Sequence, residues 1–249
     1  MSKLNNKVAI VTGASKGIGA GIAKAYGAEG ASVVVNYSSD KEGADRIVGE
    51  IIAGGGKAVA VHASVSIAAD VKRLFAETKK AFGKVDILVN NAGVFKFDPL
   101  EAITEEEFHR QFNTNVLGTI LATQEAIQHF NGAGGSVINV SSVISGNPLA
   151  NSVVYSATKG AVDTIAVALS KELGGRNIRV NTIAPGGVET EGSRSMGMIG
   201  GDLEKQIISD TPLGRIGQPN DIAKVAVFLA SDDAQWINGE KISVSGGMR

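Results

Sequence analysis

A tyrosine and a lysine four residues apart are the part of this sequence best suited to acid/base chemistry. If their segment is helical, Tyr155 and Lys159 share a face, because residues i and i+4 lie one turn apart. A neighbouring ammonium stabilises a phenolate and lowers the phenol pKa from about 10 toward neutrality. Ser142 precedes the tyrosine and could hydrogen-bond the same substrate oxygen. The three residues therefore predict proton transfer at a substrate oxygen.

The spacing alone is not specific, since Tyr37 and Lys41 repeat it. Tyr37 ends a predicted strand, and residues 38–40 are typical of a turn and helix cap, so these two side chains need not share a face. Tyr155 and Lys159 could equally be an ordinary tyrosine and a surface lysine. The chemical interpretation is favoured because a glycine-rich turn and a serine precede them on an alternating α/β chain.

The glycine-rich turn follows the first predicted strand and leads into a helical pattern. Free backbone N–H groups and the positive end of a helix make such a turn an anion site, and glycine lets a diphosphate approach the backbone. The spacing, G-x-x-x-G-x-G, differs from the usual dinucleotide pattern G-x-G-x-x-G. A glycine turn that binds no ligand is the simplest alternative. The segment is Gly13-Ala14-Ser15-Lys16-Gly17-Ile18-Gly19.

Two other motifs partly match this turn. A Walker loop ends in Gly-Lys-Ser/Thr, whereas Gly19 is followed by Ala20 and Gly21. The segment also matches G-x-S-x-G, the nucleophile elbow of hydrolases. Only one predicted strand precedes Ser15, and no histidine follows His129, so the sequence disfavours a hydrolase.

The elements that must position these residues alternate between strands and helices. Most strands are continuous apolar runs, which suits strands buried on both faces of a parallel sheet. We therefore predict one α/β domain over residues 1–249, with a doubly wound, Rossmann-type, seven-stranded and mainly parallel sheet and helices on both faces. The predicted strands are Val8–Thr12, Ser32–Tyr37, Ala58–His62, Asp86–Asn90, Ser136–Ser141, Arg179–Ala184 and Lys241–Val244. The predicted helices are Gly17–Glu29, Lys41–Ala53, Ile67–Phe82, Glu105–Phe130, Ser156–Leu173, Leu203–Ser209 and Asn220–Ala230.

Composition excludes several classes of protein. The 249 residues include no cysteine, which rules out a disulfide framework and a thiolate site. Lys and Arg (24) balance Asp and Glu (25), which argues against a nucleic-acid surface, and three separated histidines form no metal pair. No apolar run is long enough for a signal peptide core or a membrane span. We expect a cytoplasmic protein that binds no metal, nucleic acid or membrane.

Charge is unevenly distributed along the chain. Residues 111–158 carry one charged side chain, Glu125, where the average would give about ten by proportion. The stretch is rich in Gly, Ser, Asn and Thr. It predicts a buried strand with buried helices, a dry active site, or both.

Taken together, the motifs resemble those of the short-chain dehydrogenase/reductase family over essentially the whole chain. Within the family, the sequence is most similar to NADPH-dependent β-ketoacyl reductases, bacterial glucose dehydrogenases and fungal hydroxynaphthalene reductases. The matching segments are residues 12–19, 90–93, Asn115, Ser142, 155–159 and 185–190.

The resemblance implies four catalytic residues. Tyr155 is expected to act as general acid/base, and Ser142 to orient and polarise the substrate oxygen. Lys159 is expected to lower the Tyr155 pKa and to bind the nicotinamide ribose. Asn115 is expected to hold a water that relays protons beyond Lys159.

The resemblance assigns the other matched residues to cofactor binding. Ser64 and Val65 stand where the family often has Asp-Val beside the adenine. The turn after the first strand is expected to wrap the diphosphate and adenosine. The expected contacts are Gly13, Ser15, Gly17, Ile18 and Gly19 in that turn, Asn91, Ala92 and Gly93 at the adenosine ribose, and Pro185, Gly186, Val188 and Thr190 at the nicotinamide.

The residues near the end of the second strand indicate NADP(H) as the cofactor. An acidic residue there binds the ribose 2′-hydroxyl and repels a 2′-phosphate. The family alignment places Tyr37 at this position, with Ser38 after it, and Lys16 could reach the phosphate. Asp40 is close by, and the arginine common after this position is absent, which keeps NAD(H) as an alternative.

We therefore expect an oxidoreductase that reversibly transfers hydride between NADP(H) and a carbonyl or secondary alcohol. A 3-oxoacyl compound or another apolar ketone is the expected substrate, because residues 189–211 intersperse glycines with apolar side chains and resemble a mobile lid. Phe95–Phe97 and Ile144–Ala150 are further substrate-contact candidates. The alternatives are a sugar dehydrogenase of the glucose type and a non-catalytic NADP(H)-binding regulatory or scaffold protein.

The predicted helix Ser156–Leu173 carries apolar residues on more than one face, so more than one face should be buried, and Glu105–Phe130 is the other long predicted helix. The family resemblance implies that the two helices form the interfaces of a homotetramer.

Overall fold

The computed structural model describes residues 2–130, 132 and 134–248 of the chain. Within them, seven strands form one sheet in the order β3-β2-β1-β4-β5-β6-β7, and all neighbouring pairs are parallel. The predicted α/β class and seven-stranded sheet are confirmed. The strands are β1 (Val8–Val11), β2 (Ser32–Tyr37), β3 (Lys57–His62), β4 (Ile87–Asn90), β5 (Gly135–Val140), β6 (Ile178–Pro185) and β7 (Lys241–Val244).

The α-helices of the described residues cover both faces of this sheet. Ala9 and Val11 of β1 belong to a core cluster with α1, α2 and α9, whereas Ile10 belongs to a second cluster with α3, α5 and α6. Alternate residues of one strand thus face opposite helical layers, which explains the continuous apolar runs. The helices are α1 (Gly17–Ala28), α2 (Lys41–Ala53), α3 (Ala68–Phe82), α4 (Glu105–Phe112), α5 (Gly118–His129), α6 (Val153–Leu173), α7 (Glu191–Ser195), α8 (Asp202–Ser209) and α9 (Pro219–Ala230).

Three helical segments differ from their predictions. The predicted helix Glu105–Phe130 is divided by a π-turn at Asn113–Leu117, which joins α4 to α5. Helix α6 begins at Val153 rather than at Ser156, so it includes Tyr155. Helix α7 was not predicted, because its five residues are mainly small or charged; a reciprocal cap between Thr190 and Ser193 begins it.

The strand order determines where a site can form. The chain builds β1, β2 and β3 outward in one direction and then returns to place β4 on the other side of β1. The carboxyl ends of β1 and β4 therefore border the crevice in which open α/β sheets bind ligands. The matched motifs follow the ends of β1, β4, β5 and β6.

The described residues show neither a membrane-spanning helix nor a metal-binding cluster. None of these helices combines the length and apolar character that crossing a membrane requires. These residues also contain no group of three or more His, Cys, Asp or Glu side chains that could hold a metal ion.

Candidate active site

The glycine-rich turn packs tightly against the segment that follows β4. Gly13 has a φ of +61°, and a Cβ at this position would lie 2.8 Å from the Cα of Ala92. A Cβ on Gly19 would lie 2.6 Å from the carbonyl oxygen of Gly13. Larger residues at either glycine would therefore push α1 away from the sheet.

Asn91 shapes this turn with its side chain. Its Nδ2 donates to the carbonyl oxygens of Thr12 and Gly13 at 2.8 and 3.0 Å. The Thr12 hydroxyl oxygen accepts from the backbone N–H groups of Asn91 and Ala92, each at 3.0 Å. Asn91 is thus a cap at the end of β4, the structural role that its position after a strand also allowed.

The segment after β6 lies beside the first turn of α1. The Gly17 N–H donates to the Glu191 carboxylate at 2.9 Å, and a Cβ on Gly17 would lie 3.3 Å from Thr190 Cγ2. Val188 is buried, and Gly186 approaches Ser245 so closely that a Cβ would lie 2.9 Å from its Cα. Two predicted cofactor-binding segments, residues 13–19 and 185–190, therefore line one cleft.

The residues predicted to recognise the adenosine half differ in accessibility. The ring of Tyr37 is 9 % exposed and packs against His62, whereas Ser38 and Lys16 are exposed. The Asp40 carboxylate accepts from the Gly43 N–H at 2.9 Å and so caps α2. Of the two residues at this strand end, Ser38 is therefore the more accessible to a ligand.

Ser64 and Val65 follow β3. The Ser64 N–H donates to Asp70 at 2.9 Å, and its hydroxyl contacts that of Ser66 at 2.9 Å. Val65 is buried, and its side chain lies where a Cβ on Gly118 would be. Both residues have packing and turn-forming contacts within the chain.

Tyr155, Lys159 and Ser142 come together where β5 ends. The first two lie on consecutive turns of α6, with the Lys159 Nζ 5.6 Å from the centre of the Tyr155 ring. Lys159 is buried, and its Nζ donates to the carbonyl oxygen of Val140 at 2.9 Å. The Ser142 hydroxyl lies close enough to Tyr155 to affect the pKa of its phenol. Tyr37 and Lys41, which have the same spacing, do not form such a group, since Lys41 forms an ion pair with Asp45 of its own helix.

Desolvation dominates the titration of this group. It raises the pKa of Tyr155 to about 12, and the nearby Ser142 hydroxyl opposes this shift with a smaller effect. The direction is opposite to the prediction from the neighbouring lysine, because loss of hydration penalises the phenolate. Burial also lowers the pKa of Lys159 to about 8, although the charge of Asp163 opposes this shift. The phenol therefore keeps its proton at neutral pH.

Asn115 lies in the π-turn and connects α6 to the segment after β4. Its Oδ1 accepts from the Val94 N–H, and its Nδ2 donates to the Val94 carbonyl oxygen, both at 2.8 Å. The same Nδ2 donates to the Thr158 hydroxyl at 3.0 Å. A Cβ on Gly93 would lie 3.4 Å from Asn115 Oδ1 and 3.7 Å from Lys159 Nζ. Asn115 therefore belongs to the same cluster as Lys159.

Sequence reasoning assigned no role to Thr158, although this residue lies within a quoted motif. Its hydroxyl donates to the Tyr155 carbonyl oxygen at 2.7 Å and accepts from Asn115. The signal that could have revealed it is its position directly before Lys159, on the buried side of α6.

Aromatic rings surround the tyrosine. The ring centres of Phe95 and Phe97 lie 5.7 and 5.9 Å from that of Tyr155. Helix α7 reaches this group, since a Cβ on Gly192 would lie 3.7 Å from the edge of Phe95. The predicted substrate-contact segments, residues 95–97 and 189–211, are thus partly in contact.

Comparisons with known proteins agree with this geometry. A family model described as enoyl-(acyl carrier protein) reductase matches residues 13–249. An uncharacterised oxidoreductase of Methylorubrum extorquens is 54 % identical over the full length of both chains. Versicolorin reductase 1 of Aspergillus parasiticus is 39 % identical, covering 98 % of this chain and 97 % of its own.

A solved structure also matches nearly the whole length of the chain. The angucycline C-6 ketoreductase LanV with bound NADP has a TM-score of 0.93 and 36 % identity, covering 99 % of this chain and 97 % of its own. The near-complete coverage shows that the similarity is not confined to the glycine turn. The chain therefore belongs to the short-chain dehydrogenase/reductase family.

Proposed function

We propose that this protein is an NADP(H)-dependent reductase that converts a ketone bearing an apolar or aromatic substituent into a secondary alcohol. The observation that carries the proposal is the placement of Tyr155 beside Ser142 and between the rings of Phe95 and Phe97. The pair can bind a carbonyl oxygen, and the rings can contact the group attached to it.

The surroundings of Tyr155 favour an apolar substrate. A ketone oxygen that reaches Tyr155 and Ser142 brings its substituent toward Phe95 and Phe97. Planar or apolar groups gain contact there, whereas sugar hydroxyls lose hydration without new hydrogen bonds. This observation favours a ketone reductase over a sugar dehydrogenase.

The residues of the cleft fit NADP(H). Gly13 and Gly17 have left-handed φ angles and open the backbone at the start of α1, where a diphosphate fits. Ser38 after β2 and Lys16 in the glycine-rich turn have exposed side chains, and neither repels a 2′-phosphate. The nearby Asp40 carboxylate is engaged by α2. LanV, the ketoreductase compared above, has bound NADP.

The mechanism needs one proton and one hydride. When bound, the nicotinamide supplies the hydride that reduces the carbonyl carbon. Ser142 donates a hydrogen bond that orients the carbonyl oxygen, and Tyr155 transfers its phenolic proton to that oxygen. The product is the alcohol, and the phenolate is stabilised by cationic Lys159 until a proton returns from solvent. Asn115 holds the Gly93–Val94 backbone and, in the proposed relay, a water beside Lys159.

We also propose a cytoplasmic homotetramer assembled through α4, α5 and α6. Large apolar side chains remain exposed along these helices in the single chain, and burial in an interface would remove them from water. They are Phe108, Leu117, Ile120, Val153 and Val167.

The first experiment measures cofactor binding and turnover on one sample. NADPH and NADH are titrated by nicotinamide fluorescence, and cofactor consumption is then followed with β-keto esters, aryl ketones, quinones and sugars. We expect tighter binding of NADPH and turnover of aryl or other apolar ketones. Turnover of sugars alone would contradict the substrate class, and failure to bind either cofactor would overturn the proposal.

Two other functions are separated by the same experiment. The description of the matching family model raises enoyl reduction, in which hydride adds to a carbon–carbon double bond. An α,β-unsaturated ketone distinguishes the two reactions, because we expect the unsaturated alcohol rather than the saturated ketone. Cofactor binding without turnover in either direction would favour the non-catalytic alternative.

A further inference from the structure

A partly buried carboxylate lies one turn beyond Lys159 on α6. The side chain of Asp163 is 19 % exposed, and its Oδ2 accepts from the Ser145 hydroxyl at 2.6 Å. The same oxygen lies 2.7 Å from the Nζ of Lys241 on β7. Its Oδ1 is buried without a hydrogen-bond partner among the described residues. A carboxylate is therefore held between three elements at the edge of the active site.

Ser145 connects this carboxylate to the turn that carries Ser142. The Ser145 hydroxyl lies 2.8 Å from the Ser142 carbonyl oxygen and accepts from Lys241 at 2.7 Å. Ser142 begins a single 3₁₀ turn that ends at Ser145. The Ser145 hydroxyl can donate to Asp163 or to the Ser142 carbonyl oxygen and accepts from Lys241, so these contacts link the turn to α6 and β7.

A second set of contacts anchors the same strand end to α6. Lys159 donates from its Nζ to Val140, and its own carbonyl oxygen accepts from the Ser141 hydroxyl at 3.2 Å. Residues 140–142 are therefore held by two successive turns of α6, one through Lys159 and the next through Asp163. A shift of Asp163 would move Ser142 relative to Tyr155.

The cluster around Asp163 contains one negatively charged side chain and two lysines. One carboxylate, Asp163, lies between the buried Lys159 on its own helix and the partly exposed Lys241 on β7. Val140 of β5 and the Asn115 segment face Lys159 with uncharged groups, and Tyr155 lies on the same helix. The charge of Asp163 favours the Lys159 cation, and the Nζ of Lys241 lies 2.7 Å from the same carboxylate.

We propose that Asp163 is a positioning residue for ketone reduction. Through Ser145 it holds the Ser142 turn against α6, and it places one carboxylate within reach of Lys241 and one helical turn from Lys159. The inference rests on the proposed function, because it assigns Ser142 and Lys159 their roles in that reaction. It adds three residues that none of the matched motifs contains.

The test compares two substitutions that change the charge balance in opposite directions. Asp163→Asn removes the negative charge at nearly constant volume, so the alkaline limb of kcat/KM should move to lower pH by about one unit. Lys241→Met removes the competing cation, so the limb should move to higher pH. Ser145→Ala keeps both charges, so kcat should fall severalfold with the limb unchanged.

Two measurements make the result independent of turnover. The Lys159 signal is identified in ¹³Cε-lysine NMR spectra by its loss in Lys159→Arg, and its titration should move in the same opposite directions. Thermal unfolding identifies any variant that fails to fold, and Asp45→Asn on α2 is the control for an exposed ion pair. If wild-type protein shows no turnover, the proposed function fails, whereas the NMR titration still tests Asp163.

The outcomes are distinct. Opposite displacements of both the pH limb and the Lys159 titration would support the proposal. Two results for Asp163→Asn and Lys241→Met would overturn the proposal and show that the cluster is only a packing contact. In the first, the alkaline limb moves in the same direction in both variants. In the second, both variants lose activity at every pH while the limb stays unchanged.

Discussion

Tyr155 holds its proton at neutral pH because desolvation raises the pKa of its phenol to about 12. Removal of the hydroxyl in Tyr155→Phe should lower kcat by about 100- to 10,000-fold, the usual contribution of a positioned acid. Affinity for NADPH should remain within about twofold, since the ring and its neighbours stay in place. Stopped-flow turnover and a fluorescence titration check the two quantities. Retention of most activity would show that another group supplies the proton.

Lys159 gives the reaction a second dependence on pH. Its pKa is lowered to about 8 by burial, so the cation that stabilises the Tyr155 phenolate is lost as pH rises through that value. The rate of reduction should therefore be steady below about pH 7 and decline above about pH 8, by about tenfold per unit. The check is kcat/KM between pH 6 and pH 10 at saturating NADPH. A rate that rises across this range would contradict the assignment.

Cofactor preference should depend on Ser38. A carboxylate in Ser38→Asp would face the 2′-phosphate, so the Kd for NADPH should rise about tenfold or more while that for NADH stays constant or falls. Ser38 is the better test than Tyr37, because a carboxylate at the buried Tyr37 would destabilise the core. The matched control is Ser39→Asp, one residue further on. An unchanged ratio of the two dissociation constants would refute this part of the proposal.

Some of these residue properties could be predicted from the sequence and others could not. The i, i+4 spacing correctly placed Tyr155 and Lys159 on one helix face. The direction of the Tyr155 pKa shift was wrong, because spacing reports a neighbouring charge but not the loss of water around the phenol. The burial of Tyr37 was also invisible, since it depends on contact with His62 from the next strand.

At the scale of elements, a hydrogen bond joins the first turn of α1 to the first turn of α7. The Glu191 carboxylate accepts from the Gly17 N–H, which is also an expected donor to the cofactor diphosphate. Glu191→Gln should therefore tighten NADPH binding by about two- to fivefold, because a negative charge leaves the helix N-terminus. Fluorescence titration measures the change. Glu204→Gln is the control, since that carboxylate accepts from Gly200 within the same segment, and an equal effect of both would contradict the model.

Strands were more predictable than helix details. The apolar runs located all seven described strands to within one residue at each end, because burial on both faces leaves few polar interruptions. The π-turn at Asn113–Leu117 could not be predicted, since an apolar pattern does not record one extra residue in a turn. Helix α7 is too short and too polar to show a periodicity.

The surface of the whole molecule carries a testable consequence for assembly. If α4, α5 and α6 form the interfaces, light scattering should give about four times the chain mass of 25.6 kDa. Ile120→Asp should dissociate the assembly, because a charge would be buried in an apolar contact. Ile52→Asp on α2 is the control, since Ile52 is 54 % exposed against 41 % for Ile120 and lies outside the proposed interface. A monomer at micromolar concentration would refute the tetramer.

The π-turn between α4 and α5 determines how far α5 is rotated about the helix axis relative to α4. One additional residue in a turn rotates everything that follows by about 100° relative to an uninterrupted α-helix. Before it, Gln111 bonds the loop that carries Phe95 and Phe97; after it, Thr123 bonds Asn90 in the sheet. A regular α-helix over the same sequence would therefore turn Thr123 away from the sheet. The wide turn thus lets Gln111 face the Phe95 loop while Thr123, twelve residues later, faces Asn90.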